Sequence, residues 1–467
     1  MKRIAIALVL MGLLTPAALA AGDAERIPDG LSIQRMTVWP ESIELAAPFA
    51  YRQLLITGEL ASGETVDLTR IATLESEPRT VEVSPGRKIS LKANGEETLV
   101  FRYGQHEIQV PVKVTGAEVE TEVSFVQDVM PALSKMGCNA GTCHGSQDGQ
   151  NGFKLSRRGY DILFDHRAFA DDVAARRINR SAPDQSLMLL KATGSIPHVG
   201  GAVTEYDSNY YRLIRRWIAS GVPFDPESPR VASIEVHPVN PVLPRPNMKQ
   251  QVTVIATYTD GAKRDVTHEA FIESGDIEVA TTDPTGVVTV LRRGEAPMLV
   301  RYEGNYAATT ITVMGDRSGF AWQAPPTHNY IDELVDKKLQ HTKTLPSELC
   351  SDEAFIRRVY LDMTGLPPTA DEVLAFLADK RPTQQKRDEL IDRLVGSGEY
   401  VEHWTNKWAD LLQVNRKFLG EEGSLALRNW IKAAVASNKP YDELAYEILT
   451  AKGSNLEHHA AADWKMN

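Results

Sequence analysis

The sequence predicts a multidomain protein in which two all-β sandwiches flank an α-helical domain, with a second α-helical domain after them. Three observations support this prediction. A pattern of short alternating strands occurs twice, about 200 residues apart; apolar residues at helical spacing fill the interval; and strand patterns are absent after residue 326. At 467 residues the chain is long enough for three or four domains.

The first residues, 1–20, have the three parts of a secretory signal. Residues 2–3 are basic, residues 4–14 are apolar, and the small residues at 18–20 complete a cleavage pattern. We therefore expect export to the periplasm or cell envelope. The apolar run is shorter than the ~20 residues of a membrane helix, and no later stretch reaches that length, so no integral membrane segment is expected after removal of the signal.

Residues 30–117 and 231–316 are predicted β-sandwiches, because short alternating strands are separated by Gly, Asn and Pro turns. Both contain the motif G-x-x-x-D-(L/V)-T, beginning at Gly63 and at Gly261, and both contain (V/L)-x-R-Y further on. On these motifs the segments resemble bacterial immunoglobulin-like domains of the invasin type. The resemblance implies spacers or adhesive modules that contact a cell-surface glycan or protein.

Residues 122–225 are predicted to be α-helical. Ser124 and Gln127 are spaced as a capping box, and the apolar residues that follow recur on one helical face. A last helix over residues 209–220 carries an apolar stripe suited to pack against the first.

This middle segment contains a C-x4-C-H motif formed by Cys138, Cys143 and His144. The usual haem attachment signature is C-x-x-C-H, in which two thiols tether the porphyrin and the adjoining histidine ligates the iron. Two extra residues in the small Asn-Ala-Gly-Thr linker can loop out and keep both sulfurs within reach. Spacing alone leaves two other interpretations open: a Cys138–Cys143 disulfide, which export favours, and a zinc site completed by a fourth ligand.

A second axial ligand has three candidates. His198 lies in a glycine-rich loop, where the backbone can approach a flat cofactor closely. Met188 lies in an apolar run and would give a higher reduction potential, whereas His166 is typical of a surface residue. The remaining alternative is an open or water-bound iron. We predict His144 and His198 as the metal ligands.

Residues 125–223 resemble the planctomycete-type cytochrome c domain. The stretches that carry the resemblance are MPALSKMGCNAGTCHGS, FKLSRRGYD, RRINRSAPDQSLMLLKATGSIPHVGG and YRLIRRWIASGVP. The resemblance implies one covalent haem c, bound through Cys138, Cys143 and His144, with His198 in the loop that follows. This chain has Val199 where the family loop often has another glycine.

Residues 327–467 are predicted to form an α-helical domain, with Thr369 and Glu372 as a capping box and Pro440 opening the last helix. The stretches FIRRVYLDMTGLPPTADEVLAFLAD, LIDRLVGSGEYVEHWTNKWADLL and NKPYDELAYEILTAKGS resemble the helical domain of unknown function that accompanies planctomycete-type cytochromes. Relatives usually continue into a further domain, so we expect a truncated product.

These patterns predict an exported c-type cytochrome that binds one haem and exchanges electrons with an unidentified redox partner. Two alternatives stay open: a secreted adhesion or scaffold protein with a Cys138–Cys143 disulfide, and an envelope enzyme that acts on polysaccharide beside a haem domain. No catalytic residue is predicted, and electron transfer is favoured over catalysis. With 51 basic and 62 acidic residues the net charge is −11, which argues against nucleic-acid binding. Three cysteines exclude a disulfide scaffold.

Overall fold

The computed structural model of the chain describes residues 25–118 and 122–453. The predicted signal at 1–20 lies outside the described residues. The chain divides into two compact units, one ending at Leu345 and the other beginning at Pro346. In the described ranges, no helix combines the length and the apolar character that crossing a membrane requires.

The first β region has ten strands: β1 Ile33–Trp39, β2 Ile43–Leu45, β3 Tyr51–Gln53, β4 Leu55–Leu60, β5 Thr65–Asp67, β6 Thr73–Leu74, β7 Val81–Val83, β8 Lys88–Leu91, β9 Gly95–Tyr103 and β10 His106–Val114. They form sheets in the orders β1-β4-β5, β2-β10-β9-β6 and β3-β8-β7. Alternation explains the packing, because Val110, Val112 and Val114 of β10 are buried while the residues between them are exposed.

The second β region repeats this topology strand for strand: β11 Val231–His237, β12 Val242–Leu243, β13 Lys249–Gln251, β14 Thr253–Tyr258, β15 Lys263–Asp265, β16 Phe271–Ser274, β17 Ala280–Thr282, β18 Val287–Val290, β19 Gly294–Tyr302 and β20 Asn305–Val313. Its sheet orders are β11-β14-β15, β12-β20-β19-β16 and β13-β18-β17. The buried apolar residues of both β regions form one continuous core.

The two β regions meet in a pseudo-twofold arrangement. The Asp67 carboxylate accepts the backbone N–H of Gln251 at 2.6 Å, and the Asp265 carboxylate accepts the backbone N–H of Gln53 at 2.6 Å. The two aspartates are equivalent residues of the shared motif, 198 positions apart, and so are the two glutamines. Each repeat therefore satisfies a buried donor of the other.

The middle region is helical. A π-helical turn, Phe125–Val129, leads into α1 Met130–Lys135, and the other helices are α2 Ile162–Ala170, α3 Asp172–Ala175, α4 Leu187–Ala192 and α5 Asn209–Ala219. Half of the predicted capping box is confirmed, because Ser124 Oγ accepts the Gln127 backbone N–H at 3.2 Å. The Ser124 backbone N–H donates to the Asp128 carboxylate rather than to Gln127. The Gln127 side chain donates to Pro229 O.

Several polar contacts fix the middle region to the second β region, and three of them involve different residues of the middle region. Asp128 forms an ion pair of 2.6 Å with Arg264. Lys135 Nζ donates to Ala270 O at 2.7 Å. Tyr210 Oη donates to the backbone carbonyl of His268 at 3.2 Å. The middle region is thus held firmly on the β scaffold.

The middle region also has a core of its own, around Trp217. This side chain is fully buried, packs on Phe125 with ring centroids 5.0 Å apart, and donates its indole N–H to Pro223 O at 3.0 Å. Replacing Trp217 with alanine should lower the free energy of unfolding by about 3–5 kcal/mol, because it leaves a cavity. Denaturant unfolding measures this. Tyr160→Ala, at a position 94% exposed, should change stability by less than about 0.5 kcal/mol, and an equal loss in both variants would contradict the assignment.

The remaining helices are α6 Tyr330–His341, α7 Asp352–Thr364, α8 Ala370–Ala378, α9 Thr383–Leu394, α10 Gly398–Leu411, α11 Arg416–Ala436 and α12 Tyr441–Thr450. The capping box of Thr369 and Glu372 is confirmed at α8. The predicted domain boundary at 327 stays a prediction; in the structure α6 groups with the residues of the first compact unit. The physical reason is a set of contacts to the second β region, including the ion pair of 2.6 Å between Lys338 and Glu295.

Candidate functional site

The C-x4-C-H segment is a compact loop directly after α1. The His144 backbone N–H donates to Cys138 O at 3.1 Å, so the four linker residues loop out and the first cysteine returns close to the histidine. A side chain at Gly145 would be impossible, because its Cβ would lie 2.1 Å from Asn139 O. The fold of this loop explains how the longer spacing brings the motif residues together.

Both cysteines of the motif are half-buried free thiols in the structure. Burial, and then the nearby charge of Cys143, raise the pKa of the Cys138 thiol to about 12. The Cys138 thiol therefore stays protonated at neutral pH, and Cys143 is near enough to influence it.

His144 is held in one orientation and one tautomer. Its Nδ1 lies 3.1 Å from Phe153 O, and because a carbonyl only accepts, Nδ1 carries the proton. Nε2 then carries the lone pair that a metal ligand needs. Burial lowers the pKa of His144, which keeps the imidazole neutral.

His198 is held in the same way. Its Nδ1 lies 2.9 Å from Gly201 O, which again leaves the lone pair on Nε2. A Cβ at Gly200 would come within 3.0 Å of the His198 ring, so the loop requires glycine for close approach. The glycine-rich sequence around His198 therefore has a structural reason.

The two histidine rings lie close together and nearly parallel. Their centroids are 6.3 Å apart and their planes differ by 7°. A metal ion bound between two imidazole nitrogens, at about 2.0–2.1 Å from each, separates the ring centroids by roughly 6 Å. The 6.3 Å between the His144 and His198 rings is therefore close to the separation of two imidazoles that would bind one metal ion, and in both residues the hydrogen-bonded nitrogen is Nδ1.

The other ligand candidates are engaged elsewhere. His166 Nε2 lies 3.1 Å from Val222 O, and its ring stacks on Phe224. Met188 packs against the apolar core of the middle region. Among the described residues, no group of three or more His, Cys, Asp or Glu side chains gathers as a metal site, whereas a zinc site needs about four protein ligands. A haem iron needs only two, because the porphyrin supplies the rest.

The residues that orient the ligands were not predicted from the sequence. Phe153 and Gly201 act through backbone carbonyls, which carry no residue-type signal. The hydrogen bonds that Asp67 and Asp265 accept across the two repeats were not predicted either, although both aspartates belong to the repeated D-(L/V)-T motif. Repetition of a buried polar residue was the signal that could have found them.

The second unit holds a separate cavity of about 120 Å³. Its walls combine aromatic and aliphatic side chains with Asn438 and Lys439. Trp404, whose buried indole N–H has no partner among the described residues, also lines it. Sequence analysis made no prediction for this cavity.

Comparison with known proteins gives three results. Residues 330–466 match the model of a family described as PSCyt2, a protein of unknown function (DUF1549), in agreement with the resemblance of the C-terminal segment. Ice-binding protein 1 of Shewanella frigidimarina (strain NCIMB 400) is 35% identical over 118 residues, which are 24% of this chain and 13% of that protein. The chain thus spans a small part of this relative.

Among solved structures, domains 5–6 of the S-layer protein SbsC align with a TM-score of 0.25 at 12% identity, over 62% of this chain and all of that chain. Domains 4–9 of SbsC align with a TM-score of 0.24 at 11% identity, over 61% of this chain and 32% of that one. At these TM-scores the likeness carries no argument.

Proposed function

We propose that the protein is an exported electron-transfer protein whose middle region carries one covalent haem c. The two β regions serve as the rigid support of that region at the cell envelope. The observation that carries the proposal is the parallel pair of His144 and His198 rings, 6.3 Å apart.

The residues of the chain have distinct roles in this proposal. Cys138 and Cys143 supply the two sulfurs for thioether links, and both lie on the loop that His144 closes. The carbonyls of Phe153 and Gly201 accept hydrogen bonds from the Nδ1–H groups, which fixes the orientation of both rings. These bonds also make the lone pair on each Nε2 a better ligand for a metal. When bound, haem supplies a one-electron redox centre with a potential set by its axial ligands and burial.

Covalent haem is tested by producing the full chain together with a cytochrome c maturation system. We expect the pyridine haemochrome spectrum of a c-type haem and a peptide mass increased by one porphyrin at residues 138–143. The double variant Cys138→Ala/Cys143→Ala should lose all covalent haem. The matched control is Cys350→Ala, which removes the third, half-buried thiol outside the motif and should keep the haem. Colourless wild-type protein would overturn the proposal.

A surface scaffold without haem is the second candidate, and the comparisons favour it over the haem, because the named relative is an ice-binding protein. The two β regions, joined by reciprocal Asp67 and Asp265 bonds, form a stiff support suited to such a role. In this candidate Cys138 and Cys143 are joined as a disulfide. Mass spectrometry then finds a peptide lighter by two hydrogens and no porphyrin.

A further inference from the structure

We propose that Arg177 and Lys191 are positioning residues for the two iron ligands, one cation for each ligand segment. Arg177 holds the segment that orients His144, and Lys191 holds the loop that carries His198. The inference rests on the proposed haem function and adds how the chain sets the ligand geometry and the reduction potential.

Arg177 acts on His144 through Phe153. Its guanidinium lies over the Phe153 ring, 4.3 Å from the centroid, and Nη2 donates to the carbonyl of Gly152 at 3.2 Å. Nη1 donates to Ala168 O at 2.9 Å, which anchors the side chain to α2. Because the next carbonyl along the chain, that of Phe153, accepts the His144 Nδ1 proton, Arg177 fixes the acceptor that orients the ligand.

Arg177 differs in this from the arginines beside it. Arg177 is 8% exposed, whereas Arg176 and Arg180 are exposed side chains. A buried guanidinium is costly unless its donors are satisfied, and here three backbone carbonyls and an aromatic face satisfy it. The burial of this one arginine of the cluster thus indicates a positioning role.

Lys191 acts on the opposite ligand. Its Nζ, on α4, donates to Pro197 O at 2.8 Å, one residue before His198. The same loop is closed behind the ligand by the Gly201 N–H, which donates to His198 O at 3.0 Å. The loop is therefore fixed immediately before and after the ligand, and Lys191 supplies the only side-chain cation in these two contacts.

Both cations also lie within electrostatic range of the site. Arg177 contacts Phe153, whose carbonyl orients His144, and Lys191 bonds the residue immediately before His198. Positive charge beside a bound haem would stabilise an electron added to it. The two cations should therefore raise the reduction potential as well as fix the ligands.

The test uses the holoprotein of the full chain and two variants, Lys191→Met and Arg177→Met. Both replace a long cationic side chain with a long uncharged one. We expect the midpoint potential of each to shift to more negative values. The affinity of His198 for the iron should fall by about 10–100-fold in Lys191→Met, as is typical when a residue that supports a metal ligand is lost. The loss should be seen as a high-spin fraction that binds carbon monoxide. Lys191→Arg should restore the low-spin spectrum.

Arg180→Met is the matched control, because it removes an exposed cation from the same segment and should leave spin state and potential unchanged. In the haem-free protein, the side-chain ¹⁵N shifts of His198 should change in Lys191→Met and not in Arg180→Met. If the wild type takes up no haem, the proposed function fails. Suppose instead that the wild type is low-spin and that Lys191→Met matches Arg180→Met in potential, spin state and ¹⁵N shifts. The positioning role is then refuted while the proposed function stands. This comparison does not depend on Arg177→Met, so it remains decisive if that variant does not fold.

Discussion

Replacing His198 with alanine is expected to convert a low-spin, six-coordinate ferric haem into a high-spin form. The variant removes one of the two imidazoles that face each other across 6.3 Å and leaves His144, held by Phe153 O, as the remaining protein ligand. The ferrous variant should then bind carbon monoxide, which the wild type should exclude. Absorption and electron paramagnetic resonance spectra measure both effects, and added imidazole should restore the low-spin spectrum.

Two variants serve as controls for this result. Met188→Leu conserves volume at a core position and should stay low-spin. His166→Ala removes a ring that bonds Val222 O, so it should lower stability without changing the spin state. A low-spin spectrum that survives in His198→Ala would remove His198 as the second ligand, and a high-spin spectrum in Met188→Leu would assign that role to the methionine.

The second large effect is expected at the junction of the two β regions. In Asp67→Ala the backbone N–H groups of Gln251 and Thr69 both lose their acceptor. A buried donor left unpaired costs about 1–3 kcal/mol, so the free energy of unfolding should fall by about 3 kcal/mol. Asp265→Ala leaves the N–H groups of Gln53 and Thr267 in the same state and should cost a similar amount.

Asp260→Ala is the matched control for the junction, since Asp260 accepts the Ala262 N–H at 3.0 Å within an exposed turn of its own repeat. Its cost should stay within about 0.5 kcal/mol. Denaturant unfolding of the full chain compares the three variants. Equal losses in Asp260→Ala and Asp67→Ala would show that the reciprocal bonds do not hold the two repeats together.

Much of the architecture follows from local patterns. Alternation with turn residues located the strands, and the equal spacing of Gly63 and Gly261 located two copies of one topology. Helical periodicity located α5 to within one residue of its end. These features are predictable because each depends on residues that are close in the chain.

The parts that could not be predicted depend on contacts between distant segments. The grouping of α6 with the first compact unit depends on such contacts, since Lys338 pairs with Glu295 of the second β region. The facing of His144 and His198 was expected from residue type, yet its geometry depends on two backbone carbonyls and on the loops that present them. Burial of Arg177 was equally invisible, because Arg176 and Arg180 look identical to it in sequence.

The two β regions are alike in topology but not in how they contact the middle region. On the side of the second repeat, the carbonyl of Ala270 receives Lys135 from the middle region. The equivalent carbonyl in the first repeat, Ala72 O, is already capped by Arg87 of its own repeat, at a position where the second repeat has Thr285. At this position the second repeat bonds a side chain of the middle region, whereas the first repeat bonds one of its own side chains, so the two repeats differ in the contact they offer to another domain.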